Sequence, residues 1–336
     1  MGDRSSGIQP GEPHQLDRGP DGAAVRVSVP ATSANLGPGF DTLGLAVELR
    51  DELTLRITTG GLVVNPYVGD GGSGVALDET NLVVRAARRA FDATGGQPAG
   101  LQLSYRSHIP HSRGLGSSSA AICAGVAAAL AVRGADPAGE LALDLAAEIE
   151  GHPDNVAPCL LGGATIAFSD GRATRAVRLE PAEQLEPVLF VPTVRTSTSA
   201  ARAALPEMVP HRDAAFAAGR AALLVAALTS RPELLFAATE DRLHQPFRLP
   251  AVPISAALFE ALRSVGVPAV LSGSGPTVLA LCRDGDEADR AVRIAGDVTP
   301  AGAVTVLRPG LASQGVLTTD VLPDDGAPHG APGAAA

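Results

Sequence analysis

Hydrophobic and polar positions follow two different periods along this chain. Residues 25–29 alternate between apolar and polar side chains and stop at Pro30, which is typical of a strand. Residues 81–93 carry apolar side chains at helical spacing with arginines between them, which predicts an amphipathic helix. Strand and helix patterns then mix without regular βαβ alternation. The pattern therefore favours an α+β fold over a doubly wound sheet.

The same patterns predict how the chain is divided. Residues 1–22 and 319–336 are rich in Gly, Pro and Asp and have few large apolar side chains, so we expect terminal tails there. A change of pattern near residues 165–170 predicts a boundary between an N-terminal domain, 23–168, and a C-terminal domain, 169–318. Residues 43–48 and 53–58 resemble a strand pair, 117–133 a helix rich in small residues, and 151–158 a polar turn.

Composition excludes several classes of function. The chain of 336 residues contains no lysine, so a Walker lysine, a Schiff base and a lysine general base are all ruled out. The formal net charge of −10 argues against binding to nucleic acid or to an anionic membrane. Cys123, Cys159 and Cys282 lie far apart in apolar surroundings, and we predict that they are reduced core residues. No apolar signal segment opens the chain, so we expect a cytoplasmic protein.

A glycine- and serine-rich segment is the clearest candidate for chemistry. Residues 109–120 read IPHSRGLGSSSA, and a helix pattern begins at their end. Glycines permit backbone dihedrals that other residues resist, and the first amides of a helix attract anions. We expect Ser117 to cap that helix. The lysine of a P-loop is missing, and the glycine spacing differs from that of a dinucleotide-binding fingerprint.

Three segments in the same order resemble the signature motifs of the GHMP kinase superfamily. They are PATSANLGPGFDTLG at residues 30–44, IPHSRGLGSSSA at 109–120 and LSGSGPTV at 271–278. The first segment and the HPDN turn at 152–155 resemble the homoserine kinase branch in particular. The resemblance covers roughly residues 25–310. It implies a two-domain fold, with an N-terminal domain like the second domain of ribosomal protein S5 and a ferredoxin-like C-terminal domain.

The resemblance also implies a division of labour among residues. It assigns ATP binding to the glycine-rich segment and to the asparagine that opens the first helix, namely Pro110, His111, Ser112, Arg113, Gly114, Leu115, Gly116, Ser117, Ser118, Ser119, Ala120 and Asn81. From the residues alone, Asn81 could equally be a simple helix cap. Magnesium would bind Ser118 and a glutamate before the turn, with Glu150 favoured over Glu148.

An amino-acid acceptor would be held by polar residues from several segments. The resemblance implies that Asp41 and Asn35 hold the amino group, although both could simply form a turn. Arg202 and Arg248 would hold the carboxylate, since a guanidinium can grip it with two hydrogen bonds. The late loop formed by Gly273, Ser274 and Gly275 would close over the reacting end.

The remaining candidates concern the reacting hydroxyl. His152 and Asn155 would lie near it, and Asp154 or His152 could act as a general base, although a loose transition state needs little deprotonation. The resemblance implies transfer of the γ-phosphate of ATP to L-homoserine, a step towards threonine, with members of the family often homodimers. The alternatives are another GHMP small-molecule kinase or a non-catalytic nucleotide-binding protein on the same scaffold.

Overall fold

The computed structural model describes residues 22–69 and 74–321, which form two sheets with helices packed against them. The strands are β1 (Ala24–Ala34), β2 (Leu43–Thr58), β3 (Gly61–Val64), β4 (Val68–Gly69), β5 (Gly100–Ser107), β6 (Ala164–Ser169), β7 (Thr174–Leu179), β8 (Glu186–Pro192), β9 (Ala269–Leu271), β10 (Val278–Cys282), β11 (Val304–Leu307) and β12 (Leu317–Asp320). The helices are α1 (Leu82–Ala93), α2 (Ser117–Val132), α3 (Glu140–Glu150), α4 (Pro153–Leu161), α5 (Thr198–Ala203), α6 (His211–Thr229), α7 (Leu235–Ala238), α8 (Gln245–Arg248), α9 (Pro253–Ser264) and α10 (Gly285–Val298). Short 3-10 helices occupy Pro232–Leu234 and Leu249–Ala251.

The first sheet is organised around the long strand β2. It pairs with β1 along most of its length, with β5 through residues 52–58 and with β6 through residues 43–45, all antiparallel. Strand β12 lies outside β1, and the short strands β3 and β4 run parallel to β5. Helices α1 to α4 contact this sheet or one another.

Small side chains let the first four helices approach closely. Helix α2 is buried along most of its length, and a Cβ at Gly125 would lie 2.5 Å from the carbonyl oxygen of Val83 in α1. Larger apolar side chains such as Phe91 and Leu130 fill the remaining space. Each fully buried Leu or Phe contributes about 1.5–3 kcal/mol to the free energy of folding. The core therefore depends on close packing of many small residues.

The second sheet has the strand order β11-β8-β10-β9 and is antiparallel throughout. In chain order this is 4-1-3-2, with α9 and α10 packed on the strands. That order is the one the ferredoxin-like prediction requires, and the predicted α+β class is confirmed.

The predicted boundaries need correction. Strand β7 pairs with β6, so the limit at residue 168 divides a hairpin of the first sheet. The change from one sheet to the other falls between Leu179 and Glu186, the ends of β7 and β8. Residues 317–320 return to the first sheet as β12, so Thr319 and Asp320 belong to a strand rather than to a tail. The rest of the predicted tails, 1–21 and 322–336, lies outside the described residues.

Two local predictions were wrong. Residues 43–58 form one strand and not a pair, since the chain never turns back between them. The expected polar turn at 151–158 is mostly helix α4, with Pro153 at its first position, where a missing N–H costs nothing. Asp154 and Asn155 therefore project from the first turn of a helix.

The cysteine prediction is confirmed in its structural part, because Cys123, Cys159 and Cys282 are buried and free. Within the part of the chain that the structure describes, no helix is long and apolar enough to cross a membrane.

Candidate active site

The glycine-rich segment leaves β5 and enters α2 through a left-handed residue. Helix α2 begins at Ser117, and its N-cap is Gly116 with a φ of 69° and no side-chain cap. The predicted cap at Ser117 was wrong, because Gly116 occupies the N-cap position. A Cβ at Gly116 would lie 2.1 Å from Thr32 Oγ1, so only glycine fits there. The amides of the first turn are thus left without a side-chain acceptor, and free amides at the positive end of a helix are suited to an anion.

A loop of the second domain presses against this segment. Gly114 has a φ of 77°, and a Cβ there would lie 2.3 Å from the carbonyl oxygen of Ser272. The Ser272 hydroxyl donates to the Gly114 carbonyl at 2.6 Å, and the amide of Thr277 donates to the Arg113 carbonyl at 3.2 Å. The glycine-rich segment is therefore fixed against the second domain by one main-chain hydrogen bond and by the Ser272 hydroxyl.

One carboxylate faces the start of α2. The hydroxyls of Ser118 and Ser119 donate to Glu150 Oε1 at 2.6 and 2.8 Å. Glu148, two residues earlier in α3, instead pairs with Arg89 on the surface at 2.8 Å. A carboxylate beside a serine hydroxyl is an oxygen donor set of the kind Mg²⁺ prefers, and it leaves positions for water and phosphate. Glu150 and Ser118 therefore fit a magnesium ion, whereas Glu148 lies elsewhere.

The first turn of α4 supplies a second polar cluster. His152 Nδ1 lies 2.7 Å from Asp154 Oδ1, and Nε2 lies 3.9 Å from Glu150. The hydrogen bond to Asp154 raises the pKa of His152 above its ordinary value, against the opposing effect of burial. Asn155 Oδ1 accepts a hydrogen bond from the Thr32 hydroxyl at 2.9 Å, which fixes its amide beside Gly116.

The loop between β1 and β2 supplies the opposite wall. Asn35 and Asp41 both have left-handed backbones, with φ of 68° and 54°. The Asn35 side chain accepts from the Asp41 amide at 2.9 Å and donates to the Gly273 carbonyl at 3.0 Å, so it fixes the loop. Asp41 forms a two-point ion pair with Arg202 of α5, at 2.7 and 3.0 Å. Both side chains remain about two-fifths exposed, at 35% and 40%.

Arg248 is held more firmly than Arg202. It is 4% exposed and donates to the carbonyls of Gly273, at 3.1 Å, and Ala201, at 3.3 Å. Burial and the nearby charge of Arg202 lower its pKa. The Phe40 ring lies close to both guanidinium groups, with its centroid 5.9 Å from that of Arg202 and 5.2 Å from that of Arg248, and it stacks on His244. Burial lowers the pKa of His244.

Most of the predicted residues line one pocket between the domains. Its lining consists of Asn35, Asp41, Ser112, Gly114, Gly116, Ser117, Ser118, Glu150, His152, Asp154, Asn155, Thr196, Thr198, Arg202, Arg248, Gly273 and Ser274. The structure thus brings together the glycine-rich segment, the acidic turn, both arginines and the late loop, which are far apart in sequence.

Other predicted residues lie beside this pocket. Pro110, His111 and Arg113 line a separate groove with strands β8 and β11, while Leu115 and Ser119 are buried beneath the segment. Ala120 is buried in α2, and Gly275 accepts a hydrogen bond from Thr196. Asn81 caps α1 by accepting from the amides of Val83 and Val84.

Sequence reasoning missed three residues of the site. Thr196 and Thr198 line the pocket, and the Phe40 ring lies close to both arginines. The threonines lie between the end of β8 and Arg202, and a strand end followed by hydroxyl residues was the available signal. Phe40 lies inside the first motif, where one aromatic residue in a chain with few of them could have been noticed.

The comparisons with known proteins agree with this architecture. The model of the GHMP kinases N-terminal domain matches residues 81–163, and that of the GHMP kinases C-terminal domain matches residues 215–299. The fold and the family models thus define a GHMP-type kinase scaffold, with a glycine-rich segment of the first domain facing a ferredoxin-like second domain.

Individual relatives narrow the class. A homoserine kinase of Streptomyces avermitilis is 58% identical over 82% of this chain and 90% of its own length, and one of Streptomyces coelicolor is 56% identical over 90% and 95%. The crystal structure of homoserine kinase from Cytophaga hutchinsonii superposes with a TM-score of 0.79 at 27% identity, covering 93% of this chain and all of that one. The chain belongs to the homoserine kinase family.

Proposed function

We propose that this chain transfers the γ-phosphate of ATP to the hydroxyl of L-homoserine, giving O-phospho-L-homoserine on the route to threonine. The observation that carries the proposal is the shared pocket. An anion site at the start of α2 faces an ion pair of Asp41 and Arg202 in the same cavity. Homoserine carries both an ammonium and a carboxylate, so it can replace that internal pair with two pairs of its own.

The proposed nucleotide half acts mainly through the main chain. The free amides at the start of α2 and the left-handed glycines would hold the phosphate oxygens without reorganising. Phosphoryl transfer depends on in-line positioning and charge stabilisation rather than on covalent help. Glu150 and Ser118 would hold Mg²⁺, which supplies further positive charge at the phosphates when bound.

The proposed acceptor half positions the hydroxyl. Asp41 would take the ammonium of homoserine, and Arg202 with Arg248 its carboxylate. Asn155 and His152 would lie near the attacking oxygen. The His152–Asp154 hydrogen bond supports a role in holding or accepting a proton, since a neutral His152 donating from Nδ1 leaves Nε2 as an acceptor. Asp154 would then orient the ring.

Purified protein should turn over ATP with homoserine and not with mevalonate, galactose or shikimate. The measurement is ADP release in a coupled spectrophotometric assay, with the phosphorylated product identified by mass spectrometry. Turnover of one of the other alcohols without turnover of homoserine would show that the acceptor is that alcohol and not homoserine. Nucleotide binding without any turnover would support a non-catalytic protein on this scaffold.

The magnesium assignment has its own matched test. Glu150→Gln removes the carboxylate beside Ser118, while Glu148→Gln changes an equivalent carboxylate that pairs with Arg89 outside the pocket. We expect the Mg²⁺ concentration for half-maximal activity to rise about tenfold or more in Glu150→Gln, since loss of even a supporting group costs that much. Glu148→Gln should match the unsubstituted chain. An equal response of both variants would remove Glu150 from the metal site.

A further inference from the structure

A buried carboxylate outside the pocket holds the start of the phosphate-binding segment. Asp51 lies on β2, is 1% exposed, and sits where β5 ends and the chain turns towards the pocket. Its Oδ1 accepts hydrogen bonds from the amides of His108, at 2.6 Å, and Ile109, at 2.9 Å. These two amides follow the last residue of β5, so Asp51 replaces the strand partner that the sheet no longer provides.

The second oxygen of this carboxylate is also engaged. Asp51 Oδ2 accepts from the Tyr105 hydroxyl at 3.0 Å and lies 3.5 Å from the Ser107 hydroxyl. Tyr105 stacks on Tyr67 with ring centroids 4.6 Å apart, and the Tyr67 hydroxyl donates to Asn81, the cap of α1. The network therefore joins β2, the end of β5 and the start of α1.

A buried carboxylate is costly unless donors surround it. Burial raises the pKa of Asp51, and the hydrogen bonds from Ile109, His108 and Tyr105 oppose that rise. An apolar residue at this position would avoid burying a charge but would leave the amides of His108 and Ile109 without an acceptor. The carboxylate makes better sense as a specific anchor, because both of its main-chain donors belong to the residues just before Pro110.

We propose that Asp51 is a positioning residue for the phosphate-binding segment, which it fixes by accepting the amides of His108 and Ile109 where that segment leaves the sheet. The proposal rests on the proposed ATP-dependent kinase activity. Asp51 touches no substrate and acts through the segment that holds the phosphates. Its effect should therefore appear in the kinetic constants for ATP and not in the affinity for the acceptor.

The test compares Asp51→Leu with Asp51→Asn. Leucine has a similar size but no acceptor, so two buried amides lose their partner, whereas asparagine keeps one oxygen facing them. We expect kcat/KM for ATP to fall by roughly tenfold to a hundredfold in Asp51→Leu, as small misplacements of phosphate-binding groups do. The KM for homoserine should stay within about twofold, and Asp51→Asn should recover most of the loss.

Glu52→Gln is the matched control, because Glu52 is the next residue of β2 and its side chain is exposed. It should leave both kinetic constants unchanged. Hydrogen–deuterium exchange of residues 108–116 gives a readout that requires no turnover. Exchange there should be faster in Asp51→Asn than in the unsubstituted chain, because a neutral amide is a weaker acceptor, and Glu52→Gln should not change it.

Two outcomes overturn the proposal. One is an Asp51→Leu variant that folds, shown by circular dichroism and thermal unfolding, and either keeps its kcat/KM for ATP or loses homoserine affinity to the same extent. The other is an Asp51→Leu variant that fails to fold together with unchanged exchange of residues 108–116 in Asp51→Asn. Absence of turnover in the unsubstituted chain would instead refute the proposed function, and the exchange experiment would still decide the role of Asp51.

Discussion

The two halves of the pocket are held together by different kinds of contact. The proposed phosphate-binding half is closely packed, with left-handed glycines where a Cβ would collide with the Ser272 carbonyl or the Thr32 hydroxyl. The proposed acceptor half is built from side chains, and the partly exposed ion pair of Asp41 and Arg202 would be exchanged for the ligand. We therefore propose that the first half is a fixed site for an anion, whereas the second is an adjustable site for a zwitterion.

The largest expected effect comes from adding a side chain to a glycine of the fixed half. Gly114→Ala adds a Cβ 2.3 Å from the Ser272 carbonyl oxygen, at a residue with a φ of 77°. Because main-chain atoms must shift, we expect kcat/KM for ATP to fall by about a hundredfold or more. The measurement is initial rate against ATP concentration with saturating homoserine.

Gly134→Ala is the control for backbone strain alone. Gly134 follows α2 with a φ of 68°, and a Cβ there would meet nothing within 4 Å. This variant should lose about 1–2 kcal/mol of unfolding free energy from the left-handed alanine, with normal kinetics. If both variants lost activity equally, strain rather than the interlocking of the two loops would explain the result, and the contrast between the halves would be weakened.

Arg202 tests the adjustable half. Arg202→Ala should raise the KM for homoserine about tenfold while the KM for ATP stays unchanged, since a charge-assisted pair with the carboxylate is lost. Arg88→Ala serves as the control, because it removes an arginine of α1 that pairs with Glu79 outside the pocket. A rise in the KM for ATP as large as that for homoserine would show that the two halves of the pocket do not act separately.

Two truncated acceptors sharpen this prediction. 3-Aminopropan-1-ol lacks the carboxylate of homoserine, and 4-hydroxybutanoate lacks the amino group. The unsubstituted chain should prefer homoserine to both, because each analogue breaks the Asp41–Arg202 pair and replaces only one side of it. Arg202→Ala should lower the ratio of kcat/KM for homoserine to kcat/KM for 3-aminopropan-1-ol. Asp41→Asn should lower the corresponding ratio of homoserine to 4-hydroxybutanoate. An unchanged preference in both variants would exclude the exchange of ion pairs.

The fixed half was readable from the sequence to a greater extent than the adjustable half. Gly114 and Gly116 stand together in one short glycine- and serine-rich motif, so both could be predicted without the fold. The groups that require glycine there, the Ser272 carbonyl and the Thr32 hydroxyl, are visible only in the structure. The pairing of Asp41 with Arg202 joins residues 161 positions apart and depends on how two domains meet. Glu148 and Glu150 look alike in sequence, and only the orientation of α3 shows which one faces Ser118.

Asn81→Ala has the smallest expected effect, and it tests whether the fixed half of the pocket includes the start of α1. Its side chain accepts from two amides of α1 and donates to the Ala76 carbonyl, so its polar atoms already have protein partners. Asn81→Ala should lower the free energy of unfolding by about 1 kcal/mol, the usual cost of a lost N-cap. The KM for ATP should change by less than about threefold.

Asp284→Ala removes a comparable cap from α10, away from the pocket, and should cost a similar free energy without any kinetic change. If Asn81→Ala raised the KM for ATP tenfold at the same loss of stability as Asp284→Ala, Asn81 would contact the nucleotide, and the fixed half would extend from α2 to the start of α1.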